Sequence, residues 1–145
     1  MKQWVVDTWV IAQCCDASSD DCLLNCIAFL CNILNNGKIY IDAEGEIQKE
    51  YYNYIPSNIF VSKWWGKMIR NAGKIGMFSN KLNATNKIWL LDKLHFDNSD
   101  IKFVGVASKT RDKLLVSGDS DYNKDVCEYL YRALEIRVMR PEEAL

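Results

Sequence analysis

The segment KLLVSGDSDYNKD, residues 113–125, joins a short apolar run to an end rich in carboxylates. The apolar run stops at Ser117 and Gly118, and Asp119 and Asp121 follow at once. Asp and Gly are ordinary turn residues, so a turn alone accounts for this pattern. A metal site accounts for it better, but only if further carboxylates reach the same place. The rest of the sequence therefore decides between these two interpretations.

Short apolar segments alternate with amphipathic segments along the whole chain. Strands are predicted at Gln3–Val6 and at the segments KIYID (38–42), KLLVS (113–117) and EIRVM (135–139). Helices are predicted over residues 22–35, 44–55, 58–73, 86–96, 100–110 and 122–134. This alternation favours a three-layer α/β/α fold with a mostly parallel central sheet of about four to five short strands. With 145 residues, the chain is expected to form a single domain over residues 1–145.

Composition excludes several classes of protein. A chain that is 49% hydrophobic and 26% charged is globular rather than disordered. No apolar run is long enough to cross a bilayer, and the N-terminus lacks a signal-peptide cleavage pattern, so we expect a cytoplasmic protein without a membrane partner. The cysteines at 22, 26 and 31 fall within one helix and are expected to be reduced, mostly buried thiols. A zinc site using Cys14, Cys15, Cys22 and Cys26 is the alternative, but no C-x-x-C pair or histidine partner supports it.

Positive charge is concentrated in one part of the chain. Between Tyr51 and Leu91 there is no Asp or Glu. Basic residues recur there at spacings of four, three and four, which predicts one cationic helix face, with one of two adjacent tryptophans exposed for base stacking. The alternative is a solvated basic face. The predicted nucleic-acid-binding residues are Lys63, Trp64, Lys67, Arg70 and Lys74.

Four carboxylates are predicted to meet at one end of the sheet. Asp7 and Asp119 each follow a predicted strand, and functional crevices of open α/β sheets lie beyond the carboxyl ends of the strands. Glu50 belongs to the apolar stripe of its helix, although a salt bridge also explains it. Asp100 begins the apolar face of another helix, where capping is the alternative role.

Such a group of carboxylates has a definite chemistry. Neighbouring carboxylates repel one another unless a cation lies between them, and all-oxygen ligands suit Mg²⁺ or Mn²⁺. These ions lower the pKa of a bound water and stabilise the attacking and leaving oxygens of a phosphodiester. The single histidine, His95, lies outside these positions, so the pattern does not favour histidine acid–base chemistry.

The order and spacing of these pieces resemble the PIN-domain family of metal-dependent ribonucleases. VVDTWV resembles the family's opening strand with its first acid, and EIQKEY resembles the helix that bears the second. DIKFVGVA resembles the helix with the third acid. LLVSGDSDY resembles the strand and D-x-D-[FY] end that supply the last, and IRVMRPEEAL resembles the final strand and tail.

The resemblance implies a ribonuclease, in particular an endoribonuclease of the toxin–antitoxin type, that uses Mg²⁺ or Mn²⁺ to hydrolyse phosphodiester bonds. Its metal-binding quartet would be Asp7, Glu50, Asp100 and Asp119, assisted by Asp121 and by the hydroxyl of Ser117. The implied partners are RNA, with DNA still open, an antitoxin protein and a second copy in a homodimer. The alternative is a PIN-like scaffold or RNA-binding module that has little or no activity.

The chain departs from the family pattern at Trp9, where the family often has Asn or Ser. Trp9 also argues against a haloacid-dehalogenase-type phosphatase, which needs a second Asp at that position. A receiver domain would need paired acids beside the first strand and a lysine after a late strand, and LLVSGDS supplies no such lysine.

Overall fold

The computed structural model describes residues 1–145 and contains one five-stranded sheet. All neighbouring strands are parallel and lie in the order β3-β2-β1-β4-β5. All strands therefore end at the same edge, which we call the carboxyl edge, and begin at the opposite one, the amino edge. The strands are β1 (Lys2–Val6), β2 (Gly37–Asp42), β3 (Ile75–Phe78), β4 (Leu114–Val116) and β5 (Arg137–Met139).

Helices connect the strands and cover the sheet. Because crossovers between parallel strands are right-handed, the helices before β3 lie on one face and those after β3 on the other. Short 3₁₀ turns cover Ile55–Ser57, Asn98–Asp100 and Pro141–Ala144, and a π turn covers Trp89–Lys93. No helix is both long and apolar enough to span a membrane. The α-helices are α1 (Thr8–Cys15), α2 (Asp20–Asn36), α3 (Glu46–Tyr51), α4 (Ile59–Arg70), α5 (Ala84–Ile88), α6 (Ile101–Ala107) and α7 (Lys124–Leu134).

The central strands are buried on both faces, which explains their nearly continuous apolar sequences. Val5, Ile39 and Leu115 from three adjacent strands are fully buried. Phe29 and Val104 contribute to the same core from α2 and α6. The predicted α/β fold with a parallel sheet is confirmed.

Two elements were missed by the sequence prediction. β3 is an edge strand of only four residues, IGMF, interrupted by Gly76, so its apolar run is too short to stand out in the sequence. Position 76 requires glycine, because the ring of Tyr40 lies where a side chain would be and a β-carbon there would lie only 2.4 Å from that ring. Helix α1 begins directly after β1 and buries Val10 and Ile11, so strand and helix read as one apolar run.

The predicted exposed tryptophan on α4 is wrong, because Trp64 and Trp65 are both buried. The indole nitrogen of Trp64 donates to the carbonyl of Leu30 at 2.9 Å, and that of Trp65 donates to the hydroxyl of Tyr52 at 3.2 Å. The centres of the two rings lie 6.0 Å apart, and the ring of Trp65 also packs edge-on against Tyr51. Neither side chain is available to stack on a base.

The predicted position of Lys74 on the α4 face is also wrong. Helix α4 ends at Arg70, and Lys74 lies in the turn that leads into β3 at the amino edge. Its ammonium donates to the carbonyls of Ile33 at 3.2 Å and Gly37 at 2.8 Å, where α2 passes into β2. Lys74 therefore closes the end of a helix rather than contributing to a free basic surface.

Replacing Lys74 with methionine is expected to destabilise the fold by about 1–2 kcal/mol, because two carbonyls lose a charged donor. Lys67→Met is the control, since Lys67 is exposed on α4 and its loss should change stability by less than about 0.5 kcal/mol. Urea unfolding of the parent and both variants at pH 7 measures the difference. Equal stability of the two variants would contradict a structural role for Lys74.

Candidate metal centre

The ends of β1 and β4 are tied together by one hydroxyl group. Asp7 is buried at the end of β1, and its amide donates to the carbonyl of Val116 at 3.0 Å. The hydroxyl of Ser117 donates to Asp7 Oδ2 at 2.6 Å and accepts from the amide of Asp119 at 3.0 Å. Ser117 therefore fixes the carboxylate of Asp7 and also the backbone that carries Asp119.

The segment after β4 forms the turn that its Asp and Gly residues suggest, and this turn positions the carboxylates of Asp119 and Asp121. Asp119 Oδ1 accepts a hydrogen bond from the amide of Asp121 at 2.9 Å. The carbonyl of Asp119 accepts from the amide of Tyr122 at 3.1 Å. The two interpretations of this segment are thus compatible, because the turn geometry holds the carboxylates at the carboxyl edge.

A third element brings acids to the same place from the other side. Ligand oxygens of Asp97, Asp100 and Asp121 all lie within 4.8 Å of one another. Asp100 occupies the N-cap position of α6, but its side chain makes no capping hydrogen bond. Asp97 instead caps the preceding turn, accepting from the amide and the hydroxyl of Ser99, both at 2.8 Å. Asp97 is absent from the predicted site, since its sequence context signals only a cap.

These acids experience one another's charge. Burial raises the pKa of Asp7 to about 6, and the charges of Asp119 and Glu50 contribute to the increase. Burial also raises the pKa of Asp100 to about 8, with Asp7, Asp121 and Asp119 adding to it. Carboxylates from β1, α3, α6 and the turn after β4 therefore share one region of negative potential, which favours a bound cation.

A buried hydroxyl faces the same region. Tyr122 is 9% exposed, and its hydroxyl oxygen has no hydrogen-bond partner. Burial raises the pKa of Tyr122, and so do the charges of Asp7, Asp100, Asp119 and Asp121. A buried hydroxyl without a partner costs roughly 1–3 kcal/mol. An all-oxygen donor set with a spare hydroxyl fits a hydrated divalent cation of the Mg²⁺ or Mn²⁺ type.

Glu50 lies at the border of this region with both of its carboxylate oxygens engaged. Oε1 accepts a hydrogen bond from the hydroxyl of Thr8 at 2.6 Å. Oε2 forms an ion pair with the ammonium of Lys102. The salt-bridge alternative for Glu50 is therefore realised, although its charge still raises the pKa of Asp7.

Trp9 forms a wall beside the tip of β4. A β-carbon on Gly118 would lie 2.3 Å from the ring of Trp9, so the indole occupies the space that a side chain there would need. The guanidinium of Arg140 lies 5.7 Å from the centre of the same ring. Where the family often has a small polar residue, this chain thus has a stacked aromatic side chain.

A polar cleft of about 590 Å³ adjoins the acids at the carboxyl edge. Lys102 connects the two, because its ammonium contacts Glu50 while its side chain lines the cleft. Lys81 and Lys87 are exposed and supply further positive charge. The lining residues are Glu46, Asn80, Lys81, Leu82, Lys87, Asn98, Ser99, Ile101 and Lys102.

The loop that forms one wall of the cleft is held by side-chain contacts. The amide of Asn80 and the hydroxyl of Ser79 donate to the carboxylate of Glu44 at 2.8 and 2.7 Å. The Asn80 side chain donates to buried Asp42 at 2.7 Å, and the ammonium of Lys109 donates to the carbonyl of Ser79 at 3.0 Å. These contacts fix the backbone on which Lys81 is presented.

The predicted basic residues lie elsewhere. Lys63, Lys67 and Arg70 are exposed on α4, which leads to the amino edge, and they are absent from the cleft. The cationic residues beside the acids are instead Lys81, Lys87 and Lys102. Among basic residues, Lys102 shares its predicted helix only with Lys109, seven residues later, and what distinguishes it is the contact with Glu50, which no sequence pattern indicates.

Comparison with known proteins supports the fold. No family model matches the sequence, and a search of curated proteins finds no match. Among solved structures, a chain in the crystal structure of VapBC2 from Rickettsia felis bound to a DNA fragment from their promoter aligns with a TM-score of 0.51. The alignment has 12% identity and covers 95% of this chain and 98% of that chain. At this identity the likeness speaks for the fold alone, and together with the 3-2-1-4-5 strand order it shows that the chain has a PIN-like fold.

Proposed function

We propose that the protein is a metal-dependent ribonuclease that cleaves internal phosphodiester bonds with Mg²⁺ or Mn²⁺. The observation that carries this proposal is the meeting of acids from separate elements around the buried, unpartnered hydroxyl of Tyr122. The PIN-like fold supports it. The proposed acidic site consists of Asp7, Glu50, Asp100 and Asp119, assisted by Asp121 and Ser117. We include Asp97, whose carboxylate is close to those of Asp100 and Asp121, and Tyr122 in its surroundings.

The side chains of this centre have separate tasks. When bound, the ion supplies positive charge to the phosphate and lowers the pKa of a coordinated water. Ser117 holds Asp7 Oδ2 in place through its 2.6 Å hydrogen bond. Asp100 would hold the cation from the N-terminal end of α6, and Asp119 and Asp121 would hold it from the turn after β4. The hydroxyl of Tyr122, which has no protein partner, would be free to donate to a water in the hydration shell of the ion.

The cleft next to the acids is the proposed substrate groove. Its three lysines can neutralise phosphates of a nucleic-acid strand, with affinity that falls as salt rises. Asn80, Asn98 and Ser99 offer hydrogen bonds to sugar or base edges. We propose RNA as the substrate because the resemblance of the sequence is to ribonucleases, and parallel assays on single-stranded RNA and DNA distinguish the two.

A non-catalytic RNA-binding role is the second candidate. The observation that favours it is the Lys102 ion pair, which occupies an oxygen of Glu50 that a metal ion could otherwise use. Under this alternative the cleft would bind RNA without divalent metal, and no cleavage would follow. The two candidates therefore differ in what EDTA does to the protein.

A protein partner of the antitoxin kind also belongs to the proposal. The similar solved structure is of VapBC2 bound to DNA, and the sequence resembles nucleases of the toxin–antitoxin type. Co-purification of a small acidic or basic partner encoded beside this chain would support it. A homodimer is proposed on the same resemblance, and sedimentation of the isolated chain tests it.

Neutralising single acids is expected to abolish cleavage without unfolding the protein. Asp7→Asn and Asp100→Asn should each reduce the rate on RNA by at least about 100-fold in Mg²⁺ or Mn²⁺, because each weakens the hold on the ion. Asp125→Asn is a control of the same chemical change, since Asp125 is exposed in the first turn of α7. Full activity in EDTA or in Asp7→Asn would overturn the nuclease proposal.

The same Asp7→Asn substitution is expected to stabilise the metal-free protein at high pH. Burial raises the pKa of Asp7 from 3.8 to about 6, so the parent loses stability as pH rises from about 4 to 6 and remains less stable above that range. The amide cannot ionise and still accepts from Ser117, so we expect a gain of about 1–2 kcal/mol at pH 8 in EDTA. Urea unfolding at pH 4 and pH 8 measures it, and parallel pH dependence of parent and variant would contradict it.

The cleft and the α4 face can be compared with matched charge changes. The double variant Lys81→Gln/Lys87→Gln is expected to weaken RNA binding at low salt by about 10-fold or more and to flatten the salt dependence. Lys63→Gln/Lys67→Gln removes the same charge from α4 and should have a smaller effect. Binding to a fluorescent single-stranded RNA is measured in Ca²⁺ or EDTA at several salt concentrations. A larger loss in the α4 variant would restore the helix face as the groove.

A further inference from the structure

We propose that the ammonium of Lys102 takes the position beside Glu50 that a second divalent ion would need, so that this centre binds a single ion. In this arrangement Lys102 supplies the second positive charge to the phosphate of the substrate. The inference rests on the proposed metal-dependent nuclease function and specifies how its site is charged.

The first support is the way in which Lys102 is held. Its ammonium pairs with Glu50 Oε2, donates to the carbonyl of Ser99 and lies 5.2 Å from the centre of the Phe103 ring. The side chain of Lys102 is only 11% exposed, compared with 33% for Glu50. A lysine that is free in solvent makes no such set of contacts, so this ammonium is a fixed part of the site.

The second support is the division of the carboxylates. Asp97, Asp100 and Asp121 offer oxygens within 4.8 Å of one another, and Asp7 and Asp119 adjoin them electrostatically. Both oxygens of Glu50 are already engaged by Thr8 and Lys102. The acids therefore form one group that has room for a cation and one carboxylate that already has a cation.

The third support is physical. The ions of two-metal sites lie about 3.5–4 Å apart, and they share the carboxylates between them. An ammonium in contact with Glu50 repels a dication at that distance and also occupies its volume. A lysine head is a compact charge with three donors, and only two of them are used here, by Glu50 and Ser99. The third donor remains for a phosphate oxygen in the cleft, which Lys102 also lines.

A purely structural ion pair is the alternative, and it makes a different prediction. If Lys102 only fastens α6 to α3, its removal lowers stability but leaves the number of bound ions unchanged. If Lys102 replaces an ion, its removal creates a new ion position at Glu50. Metal stoichiometry therefore separates the two roles without reference to activity.

The experiment counts Mn²⁺ ions by calorimetric titration, and by electron paramagnetic resonance, which detects coupling between neighbouring ions. The parent is expected to bind one ion, and Lys102→Met, which keeps an unbranched side chain of similar length without the charge, is expected to bind two coupled ions. Lys102→Arg should still bind one. Lys87→Met is the matched control, since it removes a lysine from the same cleft without touching a carboxylate, and it should also bind one.

A double variant identifies the new position. Lys102→Met/Glu50→Gln is expected to return to one ion, because the second ion of Lys102→Met depends on the freed carboxylate of Glu50. A second ion that survives in the double variant overturns the inference. Circular dichroism and urea unfolding confirm that the variants compared are folded.

The outcomes distinguish the inference from the function on which it rests. One ion in both the parent and folded Lys102→Met, or two ions in the parent, overturns the role of Lys102 and leaves a metal-binding nuclease site in place. No ion in either protein overturns the metal-dependent function and the inference with it. One ion in the parent and two in Lys102→Met support both.

Discussion

Repulsion among carboxylates is the constraint on which the carboxyl edge of this protein depends. Parallel strands all end at one edge, so an acid placed after β1 and another after β4 are brought together by the fold itself. Burial then removes the solvent that would screen them, and the raised pKa values of Asp7 and Asp100 express the resulting free-energy cost. A bound cation would reduce that cost. The concentration of negative charge is therefore the main feature that marks this edge as a cation site.

The rest of the structure keeps the acids from moving apart. Ser117 holds Asp7, and the hydroxyl of Tyr51 donates to the carbonyl of Val6 at the end of β1. The hydroxyl of Thr8, the first residue of α1, donates to the carboxylate of Glu50. Thr8 and Tyr51 are each next to an acid in the sequence, and Ser117 lies two residues before Asp119. The site is therefore pre-formed by ordinary packing and hydrogen bonds around strands whose own positions are set by the core.

The sequence was sufficient for the parts of the fold that depend on local pattern. Buried parallel strands can be recognised in the sequence as apolar runs. An acid that directly follows such a run is expected at the carboxyl edge of the sheet. β3 was not predicted because it has only four residues and Gly76 interrupts its apolar run. The roles of Tyr122 and Lys102 were not predicted for another reason. An unpartnered hydroxyl and an ion pair between two helices are properties of the folded chain and leave no pattern in the sequence.

The basic segment shows how one charge run in the sequence becomes two separate surfaces. In a parallel α/β fold each helix carries the chain back to the amino edge and each strand returns it to the carboxyl edge. Lys63 to Arg70 lie on α4, on the way to the amino edge, and Lys74 is used there to close the end of α2. After β3 the chain is again at the carboxyl edge, so Lys81 and Lys87 line the cleft beside the acids. The absence of acids over residues 51–91 therefore identifies a positively charged segment. The topology decides which lysines of this segment lie near the proposed metal centre, where they can bind a phosphate.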